Sequence, residues 1–146
     1  MSVTYEYPRP AVTTDAVLFS REGGLWSVLL IQRRNEPFRN QWALPGGFLD
    51  ENEDPAKGVA RELEEETGIT EIPLQALGFW GRPGRDPRGH TVSLVYWAAL
   101  DDFRPTGKAA DDARDLAWHS LDALPSLAFD HAEIIATAFE QVNPGA

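Results

Sequence analysis

No cysteine occurs anywhere in this 146-residue chain. Disulfides, thiolate zinc sites and cysteine nucleophiles are therefore excluded. The composition fits a reducing compartment, so a cytoplasmic location is expected. No apolar run approaches the ~18 residues that a membrane-spanning helix needs. Residues 1–10 lack a basic segment followed by an apolar one, so no signal peptide is expected. Basic residues are scarce: 13 Lys and Arg stand against 23 Asp and Glu, for a formal net charge of -10. Such a chain is a poor general binder of nucleic acid, whose backbone demands basic patches. A small phosphate-bearing molecule is a suitable partner if metal ions and a few local arginines neutralise it. His90, His119 and His131 lack the close spacing of a histidine zinc site. Internal repeats, low-complexity segments and linkers are missing too. The length suits one domain, 1–146, with one good core.

Much of the acidity lies between Asp50 and Glu66, inside the most informative stretch, Gly47 to Ile69. Asp54 is placed to cap a helix, and Pro55 suits its first position, where a missing N–H does no harm. Gly68 is a natural left-handed stop at the far end. At ~100° per residue, Ala56, Val59, Ala60 and Leu63 form an apolar stripe on a helix predicted over 55–67. Glu62, Glu65 and Glu66 fall together on an adjacent face, at positions i, i+3 and i+4. Three carboxylates so close repel one another. A solvated acidic face is the ordinary reading of a Glu-rich helix. The sharper reading is a divalent cation such as Mg²⁺, which takes hard oxygen ligands. Gly58 in mid-helix costs roughly 1 kcal/mol relative to Ala, which close packing against a neighbour would explain.

The spacing is more specific than a Glu-rich helix. Gly47, Glu53, Arg61, Glu62, Leu63, Glu65, Glu66, Gly68 and Ile69 fill every defined position of the Nudix box, Gly-x5-Glu-x7-Arg-Glu-apolar-x-Glu-Glu-x-Gly-apolar. The chain thus resembles the Nudix hydrolases. The resemblance implies an α/β fold, an α/β/α sandwich around a mixed β-sheet. It also implies Mg²⁺- or Mn²⁺-dependent cleavage of a nucleoside diphosphate linked to another group. By the same resemblance Glu62, Glu65 and Glu66 hold the metal, joined by the backbone carbonyl of Gly46. Arg61 and Glu53 form an orienting ion pair. Dimerisation is common among such relatives, so a homodimer is one expectation, though the sequence marks no interface.

Around the box, 11–19 and 25–32 read as two strands of a hairpin, turning at Arg21 to Gly24. The second is apolar enough for burial on both faces. Pro45, Gly46 and Gly47 lead into the box, and the glycines let backbone approach closely. Further strands are predicted over 74–81, 91–100 and 113–119, with a turn at 120–124. A last helix is predicted over 130–142, capped by Asp130 and packing through Ile134, Ile135, Ala138 and Phe139. Strands mixed with two main helices suit a sandwich.

The loop from Arg82 to His90 places three arginines within seven residues of an acidic protein. Guanidinium forks suit phosphate oxygens and also stack on bases. Arg-Asp-Pro-Arg-x-His after a Nudix box resembles ADP-ribose pyrophosphatases and the related ADP-ribose-sensing regulators. Arg82, Arg85, Arg88 and His90 are therefore expected to bind substrate, with Arg33 and Arg34 at the end of the second strand; simple surface placement is the alternative for each. Leu127 to His131 resembles the same subgroup. We read it as a helix start, with Phe129 as hydrophobic staple and Asp130 as cap. Asp15 reads either as an edge-facing polar group or as a substrate contact. Phe38, Trp42, Phe79 and Trp80 are candidates to stack an adenine, with a core role as the alternative.

The expected reaction is hydrolysis of ADP-ribose to AMP and ribose 5-phosphate, carried by Glu65 and Glu66. The general base is either a box glutamate or one of Asp111 and Asp112, on the loop before Ala113. A nucleoside triphosphate pyrophosphohydrolase that clears oxidised nucleotides is the second reading, since the box fits both. The third is a sensor that binds ADP-ribose without cleaving it. The intact carboxylates and the lack of room for a DNA-binding domain argue against it.

Overall fold

The computed structural model describes residues 4–105, 107 and 113–143. In chain order the elements are β1 (Ala11–Glu22), β2 (Leu25–Arg33), β3 (Trp42–Ala43), β4 (Gly46–Phe48) and α1 (Pro55–Thr67). β5 (Gln75–Trp80), β6 (Thr91–Asp101), β7 (Ala113–Ser120) and α2 (His131–Val142) follow.

β1 and β2 form the expected hairpin, but β1 runs on to Glu22 and shortens the turn to Gly23 and Gly24. Both glycines have positive φ, 58° and 80°. Such two-residue turns match the twist of hairpin strands. The two strands pair only from Phe19–Val28 to Glu22–Leu25. Beyond that they part, and the segment carrying β3 and β4 fills the fork. β3 pairs with β2 at Ile31–Ala43, and β4 pairs with β1 at Asp15–Gly46. On its other edge β1 runs parallel to β6, from Ala11–Thr91 to Arg21–Asp101. β5 lies antiparallel to β6, and β7 lies antiparallel to β2, completing a mixed seven-stranded sheet.

Strand alternation gives each side chain a face. Val17, Phe19, Val28, Leu30 and Val95 pack on one face with Ile134, Ile135 and Ala138 of α2. Ala16, Leu18, Leu29 and Ala98 pack on the other with Val59 and Leu63 of α1. This is the α/β/α sandwich that the motif implied. Coverage on both faces explains the near-continuous apolar runs of β1 and β2.

α1 begins and ends as its sequence dictates. Asp54 accepts a hydrogen bond from the Ala56 N–H at 2.9 Å, and Gly68 closes the helix at φ 76°. Its inward stripe differs from the expected one. Val59 and Leu63 are buried, but Ala56 and Ala60 are exposed. Gly58, Glu66 and Thr67 are buried instead. The helix is rolled so that Glu66 faces inward. A side chain at Gly58 would bring its Cβ within 2.6 Å of Leu49 Cδ1, so close packing does account for this glycine. No helix among the described residues is long and apolar enough to cross a membrane.

Candidate active site

A cleft of about 530 Å³ opens where β1 and β2 part. One wall is the acidic face of α1 with the β4 backbone. The floor comes from β1 and β6. The far rim comes from the end of β2, the β5–β6 loop and the start of α2.

On the acidic wall, Arg61 is the organiser. Its Nε and Nη2 reach the two Glu53 oxygens at 2.6 and 3.0 Å. Its Nη1 reaches Glu62 at 2.9 Å and Glu65 at 3.0 Å. The Arg61 hydrogen bonds pull the Glu53 carboxyl down to about 2. Glu62 is shifted up instead, because burial outweighs its bond to Arg61. Glu66 accepts the Gly46 N–H at 2.9 Å, tying α1 to β4. A Cβ on Gly47 would lie 2.6 Å from Glu62 Oε2, so a side chain there would displace this carboxylate. Glu62 and Glu66 line the cleft. The Glu65 side chain is 58% exposed and held by Arg61.

The floor is a buried polar network. Asp15, 6% exposed, lies inside the sheet between β6 and β4. Of the two readings of Asp15, the edge-facing one fails, because long-range pairing covers both sides of β1. Burial pushes its carboxyl up to about 7, against the opposing pull of Arg85 and Ser93. Thr13 and Ser93 hydroxyls meet at 2.6 Å, and Arg85 Nη1 donates to Ser93 at 2.8 Å. Arg85 Nε and Nη2 grip both oxygens of Asp130 at 2.9 and 2.6 Å. These two side chains are 3% and 11% exposed. Burial alone would raise the Asp130 carboxyl, but its bonds to Arg85 hold it below the usual range. Asp130 therefore makes no side-chain cap bond to α2. The expected cap fails because a buried guanidinium is the stronger partner.

On the rim, Asp86 accepts from Arg88 Nε at 3.1 Å and Nη2 at 2.8 Å. The Arg88 guanidinium stands over Phe48, and both Arg88 and Arg33 stand over Phe129. Phe129 adopts φ 52°, a left-handed backbone unusual for a ring-bearing residue. His131 is buried and accepts the Leu44 N–H on Nδ1 at 3.0 Å. Burial lowers its pKa to about 4, which keeps the ring a neutral acceptor. It thereby fixes the segment that enters β4.

This geometry meets its counterpart among known proteins. The NUDIX domain matches residues 9–138. The chain belongs to the Nudix family of hydrolases. It is 42% identical over 129 residues to the ADP-ribose pyrophosphatase of Methanocaldococcus jannaschii, covering 88% of this chain and 73% of that one. It is 37% identical over 142 residues to the ADPR responsive transcriptional repressor NtrR of Acinetobacter baylyi, covering 94% of this chain but only 56% of the repressor. The Nudix domain of Shewanella oneidensis NrtR, solved with ADP ribose, superposes with a TM-score of 0.87 at 34% identity, over 94% of this chain and 91% of that one.

The Nudix cleft gathers some of the residues expected from sequence and leaves others outside. Gly46, Glu62, Glu66, Arg33, Arg85 and Arg88 line it. Arg34 is exposed beyond it. Arg82 pairs on the surface with Glu133 of α2 at 3.2 Å. His90 bonds the Gly81 carbonyl through Nε2 at 2.9 Å. Asp111 and Asp112 lie outside the described residues. Of the expected adenine-stacking rings, Phe38 packs on Phe129, and Trp42 packs on His119. Trp80 joins the α2-side core, and Phe79 is exposed on β5. Phe48 is not singled out by the sequence, and Phe129, expected as a hydrophobic staple, instead stacks with two arginines. The only signal for Phe48 was its position directly after the paired glycines.

The donors suit a hard divalent ion. Glu62, Glu66 and the Gly46 peptide supply oxygen at one wall, and close approach at Gly47 leaves Glu62 room beside bare backbone. Among the described residues no three acidic or histidine side chains converge as a metal site; Arg61 Nη1 takes both Glu62 and Glu65.

Proposed function

We propose that this Nudix hydrolase cleaves ADP-ribose to AMP and ribose 5-phosphate, with Mg²⁺ or Mn²⁺, in the cytoplasm. One observation carries the reading: a single cleft is lined both by the box carboxylates Glu62 and Glu66 and by Arg33 and Arg88. A diphosphate spanning it would meet both. The likeness to a pyrophosphatase and to a domain solved with ADP ribose supports that substrate.

Glu62, Glu65, Glu66 and the Gly46 carbonyl are the groups that would hold the ions. Bound divalent ions would supply charge neutralisation and activation of water. Arg88, held in place by Asp86, and Arg33, whose Nε donates to the Pro37 carbonyl at 2.7 Å, would receive phosphate oxygens. A water oxygen forms a bond to one phosphorus, the P–O–P bridge breaks, and the leaving oxygen stays on the other phosphate. Arg61 and Glu53 position the wall. Asp111, Asp112 or a box glutamate would accept the proton of the water. A tenfold loss in Asp111→Asn or Asp112→Asn identifies the acid, and no loss in either returns the role to the box.

Product analysis tests the substrate. ADP-ribose is incubated with Mg²⁺ beside 8-oxo-dGTP, a diadenosine polyphosphate, NADH and a nucleotide sugar. AMP and ribose 5-phosphate, formed fastest from ADP-ribose, are the expected result. Preference for a triphosphate, with pyrophosphate released, overturns the substrate. The likeness to an ADPR responsive repressor favours a second reading, a sensor. Tight ADP-ribose binding without turnover in Mg²⁺ would establish it.

A further inference from the structure

The rim carries an alternation of rings and cations that phosphate chemistry does not require. Phe48 is 46% exposed although it sits at the wall of the cleft. Its ring lies 5.0 Å from the Arg88 guanidinium carbon. That guanidinium lies 5.5 Å from the Phe129 ring, and Arg33 lies 5.1 Å from the same ring. The order is Phe48, Arg88, Phe129, Arg33.

This ladder is held still. Asp86, whose side chain is 3% exposed, takes the Nε, the Nη2 and the backbone N–H of Arg88. Phe129 is braced by Phe38 at 4.7 Å between centroids. Phe129 is flanked by two guanidinium groups, whereas Phe48 ends the ladder with much of its surface open. Among the described residues the floor side chains of β1 and β6 are hydroxyls and a carboxylate, met by a committed guanidinium. Among the described residues that line the cleft, Phe48 is the exposed ring on which a flat aromatic ligand group can lie.

We infer that Phe48, backed by Arg88, is the platform on which the nucleobase of the substrate stacks. The ligand class is a nucleoside 5′-diphosphate derivative, its base on Phe48 and its phosphates towards Arg88 and the box. Position explains the pairing of tasks: Phe48 directly follows the glycines that meet the metal-binding wall. This deepens the proposed function and rests on it for the identity of the sugar beyond the diphosphate. Stacking also grips any base face, so the platform selects for a nucleobase more than for one base edge.

The test uses fluorescence of etheno-adenine, which stacking quenches. The full chain is titrated with etheno-ADP-ribose and separately with etheno-ATP, in Ca²⁺ to suppress turnover. Inorganic pyrophosphate serves as the base-free probe. Wild type is expected to quench the fluorophore. Phe48→Ala should lose the quenching and bind about 5- to 150-fold more weakly, the range that stacking losses span. Phe48→Trp should restore both, and pyrophosphate affinity should stay within twofold throughout, which also reports an intact fold. Unchanged quenching in Phe48→Ala, an equal loss for pyrophosphate, or no binding of either etheno-nucleotide overturns the platform. Stacking of etheno-ATP alone, with no ADP-ribose bound, retains the platform and overturns the ADP-ribose reading.

Discussion

Asp130→Asn is the most informative single change to stability. Asp130 and Arg85 join the β5–β6 loop to the start of α2 through two bonds of 2.6 and 2.9 Å. With side chains 3% and 11% exposed, water cannot replace the missing charge. Removing one member of a buried pair costs about 3–5 kcal/mol, because the other stays charged and desolvated. Arg85 retains Ser93, the Thr91 carbonyl and the field of Asp15, which argues for the low end. A loss of about 3 kcal/mol lowers Tm by roughly 6–12 °C in a domain of this size. The exposed pair Arg82–Glu133, at 67% and 52% exposure, is the internal control. Glu133→Gln should cost less than about 1 kcal/mol. Urea unfolding followed by tryptophan fluorescence reads both. The pH dependence has a definite sign: the Asp130 pKa is depressed, so its stabilisation is full above about pH 4 and is lost as pH falls through the folded value. The double change Arg85→Met with Asp130→Leu should recover most of the lost stability, since apolar residues of similar volume need no counter-charge. If Asp130→Asn costs no more than Glu133→Gln, the buried pair does not anchor the loop.

Further outcomes follow from other contacts. Glu65→Gln and Glu66→Gln should each lower turnover roughly 100-fold, a loss typical of removing one group that stabilises developing charge; near wild-type kcat in both refutes the metal-wall assignment. Gly47→Ala should cut activity at least tenfold with Tm within a few degrees, because the new Cβ displaces the Glu62 carboxylate that lies 2.6 Å away; full activity would show that Glu62 can move without consequence. His131 is depressed from 6.5 to about 4, so its contribution is complete above pH 6.5 and is lost as pH falls through about 4. His131→Gln, which can still accept the Leu44 N–H but does not titrate, should flatten the fall in Tm across that window; an unchanged slope refutes the assignment.

Short-range physics explains which features the sequence alone specifies. The Asp54 cap, the Pro55 entry and the Gly68 stop act within one helix, so consecutive residues suffice to specify them. The same holds for Arg61 and Glu53, eight residues apart across one helical start, and for the Gly23–Gly24 turn. Where reading failed, a distant partner had outcompeted a local one. Asp130 was expected to cap its own helix, but Arg85, 45 residues away, takes both its oxygens.

The sequence by itself determined the box, the two ends of its helix and most strands, because spacing and capping along one element carry that information directly; the layered architecture followed from the family resemblance that the box carries. Only the tertiary structure decided which arginines face the cleft. Arg85 turns inward to a buried carboxylate, Arg82 turns outward to a surface one, and Arg88 is fixed at the rim by Asp86. It alone placed Asp15 in the floor and Phe48 and Phe129 around Arg88. The reason is register: β1 pairs with β6 across some eighty residues, and the fork between β1 and β2 admits β4. No local pattern along the chain records either event.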